Sequence, residues 1–127
     1  MIDHIGLPVH DYPAAKAFYT AALAPLGSKV HCAFNDDNGE EVCCGFGGEQ
    51  PKFWIYKTHK PNVLTHVAFA CDKRADVDAF HAAAIKAGAK DNGAPGLREH
   101  YHPSYYGAFV IDGDGHNIEA VCHCPQG

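Results

Sequence analysis

Apolar and polar residues along this chain follow two rhythms, and the rhythms occur in the same order twice. Asp3-His4-Ile5-Gly6-Leu7-Pro8-Val9 is a short extended run rich in strand formers. Thr65-His66-Val67-Ala68-Phe69-Ala70-Cys71 is another, placed 62 positions further on. Each leads into a helical pattern. In the first, Ala15, Phe18, Tyr19, Ala22, Leu23 and Leu26 share one face, with Asp11 as N-cap and Pro13 in the first turn. In the second, Val77, Phe80, His81, Ala84 and Ile85 repeat the spacing, and the same offset carries Phe18 onto Phe80 and Ala22 onto Ala84. Gly27 and Gly88 stop the two helices.

After each helix come extended runs broken by turn residues. The first half gives 29–34, 41–46 and 52–57, separated by Asn35-Asp36-Asp37-Asn38-Gly39 and Gly47-Gly48-Glu49-Gln50-Pro51. The second half gives a weak strand over 89–92 and strong ones over 108–111 and 117–123, the last two joined by Asp112-Gly113-Asp114-Gly115. The stretch 92–107 lacks a period and reads as a loop or lid. Strand, helix and three strands, twice, is an internal duplication. The expected fold is therefore α+β: one domain over 1–127, built of two βαβββ modules at about 1–60 and 61–124, with a curved sheet cup inside and helices outside. One helix covers one face of each sheet, so we expect the remaining surface to be buried in a homodimer.

Composition narrows the class. An apolar fraction of 46% in 127 residues supports a core. The net charge of −5, with Lys and Arg scattered, excludes a nucleic-acid partner. No apolar stretch approaches the roughly 18 residues of a membrane span. Met1-Ile2-Asp3-His4 lacks the basic region of a secretory signal, so a cytoplasmic location is expected. In that compartment the six cysteines read as reduced thiols. Cys122-His123-Cys124 lacks the spacing of a structural zinc site.

His4, His66 and the run Asp112-Gly113-Asp114-Gly115-His116-Asn117-Ile118-Glu119 resemble the vicinal oxygen chelate superfamily. Glyoxalase I, extradiol dioxygenases, fosfomycin resistance enzymes and bleomycin resistance proteins belong to it. The resemblance covers nearly the whole chain. It implies paired modules lining a cup, with His4, His66 and Glu119 as metal ligands. Two imidazoles and one carboxylate suit Fe, Mn, Ni or Zn and leave positions open for an oxygen-bearing substrate. A bland reading stands beside this: strand histidines can bond backbone, and a carboxylate can pair with a lysine.

Two departures bear on function. The strand Lys52-Phe53-Trp54-Ile55-Tyr56-Lys57 lacks the second carboxylate of glyoxalase I-type enzymes. The extradiol pattern is kept in order by His102, Asp112, Gly115 and Glu119, but Ala108, Phe109 and Gly113 depart from it, Phe109 standing where that pattern has a tyrosine. Trp54, Tyr56 and Phe109 are candidate substrate-binding residues. His100, His102, Tyr105 and Tyr106 are candidate catalytic groups, the alternative being a polar lid or a dimer surface. His10, His31, His59 and His123 read as ordinary surface or strand residues. The expectation is a metal-dependent enzyme acting on a small oxygen-chelating molecule, of glyoxalase-like lyase or isomerase kind or a ring-cleaving dioxygenase. The alternative is a metal-free protein of the bleomycin resistance kind that sequesters a small molecule.

Overall fold

A computed structural model of the chain describes residues 1–125. The elements run β1 (Ile5–Val9), α1 (Tyr12–Leu23), a 3₁₀ turn (Ala24–Leu26), β2 (Lys29–Asn35), β3 (Glu41–Gly47) and β4 (Phe53–Lys57). They then repeat as β5 (His66–Ala70), α2 (Arg74–Lys86), β6 (Lys90–Leu97), β7 (Tyr106–Ile111) and β8 (Asn117–Cys122). The chain divides into two units, Met1–Val63 and Leu64–Gly127. Each holds one four-stranded sheet, ordered β1-β4-β3-β2 in the first and β5-β8-β7-β6 in the second. In both, the opening strand lies parallel to the closing strand, and the other pairings are antiparallel. The duplicated α+β architecture read from the sequence is the observed one.

In the first unit the Asp11 carboxylate accepts the Ala14 N–H at 3.1 Å and caps α1, with Pro13 inside the first turn. Gly27 ends the following 3₁₀ turn at φ 74°, a conformation that a Cβ disfavours. Phe18, Tyr19, Ala22 and Leu23 bury one helix face beside Leu7, Val9, Phe46, Phe53 and Ile55. The Tyr19 ring meets Phe18 and Phe53 edge-on at 4.8 and 5.1 Å. In the second unit Val77, Phe80 and Ala84 of α2 are fully buried, as are Ala108, Val110, Ile118 and Ala120 of the sheet. Burying a side chain such as Val77 or Phe80 contributes about 1.5–3 kcal/mol.

The second sheet departs from expectation at β6. This strand reaches Leu97, through part of the stretch read as a loop. Its register shifts twice around Gly93, which adopts φ 153°. Such bulges erase the period-two pattern, and Pro95 is tolerated because β6 is an edge strand. The opening strands also begin later than the sequence pattern implied: His4 precedes β1, and His66 is the first residue of β5. All six cysteines are free thiols. No helix among the described residues is long and apolar enough to cross a membrane.

Candidate functional site

The chemistry of the second unit starts from a turn. Asp112 Oδ1 accepts the backbone N–H groups of Asp114 (3.0 Å) and His116 (2.9 Å), and Gly115 takes φ 93°. The fully buried His116 then accepts the Thr65 N–H on Nδ1 at 3.0 Å, while Asn117 N–H donates to the Thr65 carbonyl at 3.0 Å. This turn thereby fixes β5 beside β8 and sets the register that pairs His66 with Asn117 and Ala68 with Glu119. Asp112, Asp114 and His116 present ligand atoms within 4.8 Å of one another. Asp112 is occupied in capping the turn, and His116 in holding Thr65, so we read the group as architecture.

Side chains alternate across a strand, so Ile118 and Ala120 face α2 while Glu119 lies on the other face. That face carries His66 from β5 and Phe109 from β7, the register partner of Glu119. The Glu119 side chain is 2% exposed, and its Oε1 lies 3.0 Å from His66 Nε2. The Tyr105 hydroxyl donates to its Oε2. A Cβ on Gly107 would approach Tyr105 Cε1 to 3.2 Å and Glu119 Oε2 to 3.4 Å, so glycine leaves room for both groups. Burial first, then the neighbouring carboxylate, holds the Tyr105 phenol above the usual tyrosine range.

His66 has a definite tautomer. Its Nδ1 lies 3.0 Å from the Asn117 carbonyl, which can only accept, so Nδ1 carries the proton. In the neutral ring the Nε2 lone pair therefore faces Glu119 Oε1, lone pair to lone pair. A cation, either a proton or a metal ion, relieves that opposition. The Phe109 ring stacks beside His66 at 6.4 Å and 20°, and the Arg98 guanidinium lies 5.4 Å from the other ring centroid of that stack, Phe109.

The remaining candidates separate. Tyr106 belongs to the α2 side: its hydroxyl donates to Asp78 at 2.6 Å, and Arg74 lies over its ring. His100 is exposed against Tyr101. His102 pairs with His123, Nε2 to Nδ1, at 2.6 Å. His123 carried no functional signal in the sequence, and only tertiary contact reveals it. In the first unit His4 is exposed, with Nδ1 2.7 Å from Asp3 Oδ1.

Trp54 and Tyr56 lie on the face of the first sheet turned away from Leu7, Val9 and Ile55. Gly6 pairs with Trp54 as Ala68 pairs with Glu119, and the 62-residue repeat equates Gly6 with Ala68. Trp54 thus holds the place in the first sheet that Glu119 holds in the second. It stacks on Phe34 at 5.9 Å and 23°, and a Cβ on the opposing Gly45 would meet the indole at 2.8 Å. A separate open cleft of about 800 Å³ is lined by Tyr12, Lys16, Ala17, Thr20 and Glu41, among others. Its Glu41 carboxylate is already engaged by the Tyr12 hydroxyl (2.7 Å) and Lys16 Nζ (2.5 Å).

The model of the family described as Glyoxalase/Bleomycin resistance protein/Dioxygenase superfamily matches residues 1–120. Among solved structures, a glyoxalase/bleomycin resistance protein from Albidiferax ferrireducens is 26% identical. The match covers 94% of this chain and 96% of that one, with a TM-score of 0.74. A mutant of the genomically encoded fosfomycin resistance protein FosX from Listeria monocytogenes, complexed with Mn(II) and 1S,2S-dihydroxypropylphosphonic acid, is 17% identical. That match covers 100% and 90% of the two chains, with a TM-score of 0.70. TioX from Micromonospora sp. is 15% identical over 98% and 99%, with a TM-score of 0.73. The last two likenesses show the fold alone. No curated protein matches the chain.

Proposed function

Because the chain belongs to the Glyoxalase/Bleomycin resistance protein/Dioxygenase superfamily, we propose that it is a metal-dependent enzyme acting on a small molecule with neighbouring oxygens. The observation that carries this is the opposition of His66 Nε2 and Glu119 Oε1 at 3.0 Å, with the Nδ1 proton of His66 committed to Asn117. A ring N–H given to a backbone carbonyl is the usual support of a metal-ligating histidine. The donor set fits a divalent ion such as Mn, Fe, Ni or Zn. FosX, a fold relative, holds Mn(II).

In this reading His66 and Glu119 hold the ion. His4 stands at the repeat-equivalent place of the first unit, where its Nδ1 faces Asp3 Oδ1 at 2.7 Å. The bound ion supplies Lewis acidity that polarises a substrate oxygen. Tyr105 orients the Glu119 carboxylate through Oε2 and keeps its own proton at neutral pH, so it serves as a donor and not as a base. Phe109 shields one side of His66 from water. Trp54 stands where a second carboxylate would be needed, so isomerisation through paired glutamates is disfavoured. Trp54 and Tyr56 are instead proposed as a ring-stacking surface of the first unit for a flat ligand.

Titration with Mn(II), Fe(II), Ni(II) and Zn(II), followed by elemental analysis, tests the reading. About one ion per chain is expected, and its loss in His66→Ala and in Glu119→Gln. Protein that retains none of the four metals removes the enzyme proposal. Sequestration of a flat ligand would then be the better reading, favoured by the Phe34–Trp54 stack. Ligand binding insensitive to chelator and to His66→Ala would support that second reading.

A further inference from the structure

His102 and His123 approach each other more closely than ordinary ring nitrogens do, at 2.6 Å, with ring centroids 4.9 Å apart and planes 26° apart, so the rings meet end to end. The backbone settles where the protons lie. His102 Nδ1 sits 3.0 Å from the Ser104 N–H, which can only donate, so Nδ1 carries a lone pair. The neutral His102 ring therefore has its proton on Nε2 and donates it to Nδ1 of His123. This tautomer is opposite to that of His66, whose Nδ1–H is the donor and whose Nε2 faces Glu119. A metal on His102 Nε2 would force a proton onto Nδ1, pointing at the Ser104 N–H. The pair is thus built to hold a hydrogen bond and unsuited to holding an ion.

What the pair holds is Tyr105. Its ring stands edge-on to His102 at 5.4 Å, to His123 at 5.3 Å and to Tyr101 at 4.8 Å. The loop is pinned at both ends: Arg98 N–H donates to the Tyr105 carbonyl at 2.7 Å, and Tyr105 N–H to the His102 carbonyl at 3.1 Å. His123 lies just beyond β8, the strand that carries Glu119, so the bond from His102 ties the loop to that strand. We propose that His123 is a positioning residue: it accepts the His102 Nε2 proton and so seats the Tyr105 hydroxyl on Glu119. The seating stands on geometry alone. Its consequence for metal affinity rests on the reading of Glu119 as a ligand.

Long-range nitrogen–proton NMR of the metal-free protein, above neutral pH, tests the tautomers. The expected result is a proton on His102 Nε2 and a bare Nδ1 on both rings; an Nδ1 proton on His102 overturns the proposal. Two variants test the seating. Asn places Oδ1 where His has Nδ1, so His123→Asn keeps the acceptor, while His123→Leu keeps bulk and loses it. The ¹³Cζ shift of Tyr105, assigned with Tyr105→Phe, is expected to move in His123→Leu and to stay in His123→Asn. Mn(II) affinity by calorimetry is expected to fall about tenfold in His123→Leu only, the usual scale for losing an outer-shell support. Equal behaviour of the two variants overturns the positioning role. Wild-type protein that binds no Mn(II) removes the metal reading instead, and the Tyr105 shift still decides the seating. Should His123→Leu fail to fold, His123→Gln, which moves the acceptor one bond outward, takes its place.

Discussion

The two units share one topology and differ on the sheet face turned away from the helix. In the second, the register place opposite Ala68 holds Glu119, a buried carboxylate met by His66 and Tyr105. In the first, the place opposite Gly6 holds Trp54, stacked on Phe34 above Gly45. An ionised carboxylate without partners costs several kcal/mol on burial, so Glu119 can persist only with donors or a cation around it. An indole needs only room, which Gly45 gives it. One duplicated scaffold therefore carries a polar face with a buried carboxylate and an apolar, ring-accepting one. The difference lies in side chains at equivalent register positions and not in the backbone.

Substitution at those two positions should separate the units most strongly. Glu119→Gln should weaken metal binding by more than about 100-fold, beyond the upper end of what losing an outer-shell support costs, whereas Trp54→Ala should leave it unchanged. Calorimetry with Mn(II) reads both, and a similar loss in both would dissolve the distinction. The glycines test the same contrast through space. Gly45→Ala drives a Cβ to within 2.8 Å of Trp54 and 2.9 Å of Pro51, and should destabilise the fold by about 1–3 kcal/mol in urea unfolding. Gly107→Ala meets milder contacts of 3.2 and 3.4 Å. It should cost about 1 kcal/mol and shift the Tyr105 ¹³Cζ signal by displacing the phenol from Glu119.

The smallest expected effect concerns Glu41, a carboxylate of the first unit paired with Lys16 and Tyr12. Lys16 first, and then Tyr12, hold its carboxyl below the usual glutamate value of 4.5. The folded state thus binds that proton less readily than the unfolded chain. The stabilisation is present above that value and fades as pH falls through the folded one. Both partners are about one-third exposed, so solvent screens the effect. Urea midpoints measured down the acid range should decline less steeply in Glu41→Gln than in wild type. An unchanged slope would show that the ion pair contributes nothing measurable.

Much of the fold was readable because it depends on local chemistry. The N-cap at Asp11, the stop at Gly27 and the turn at Asp112 each act within a few residues, and each stands where the sequence placed it. The strand β6 was not readable beyond its start, since the bulges at Gly93 break the alternation that marks a strand. Part of the candidate site was legible as well. His66 and Glu119 lie 53 positions apart in the chain, yet the resemblance paired them, and the structure brings their tips together.

Residue order alone determined the duplication, the α+β class and the turn that registers β5 against β8, because short-range periodicity and turn chemistry dictate them. Only the tertiary structure decided which nitrogen of His66 and of His102 carries a proton, that Tyr106 turns to α2 while Tyr105 reaches Glu119, and that His123 belongs beside His102. The physical reason is direction. A hydrogen bond depends on where a donor and an acceptor point, and that is settled when distant strands and a loop meet.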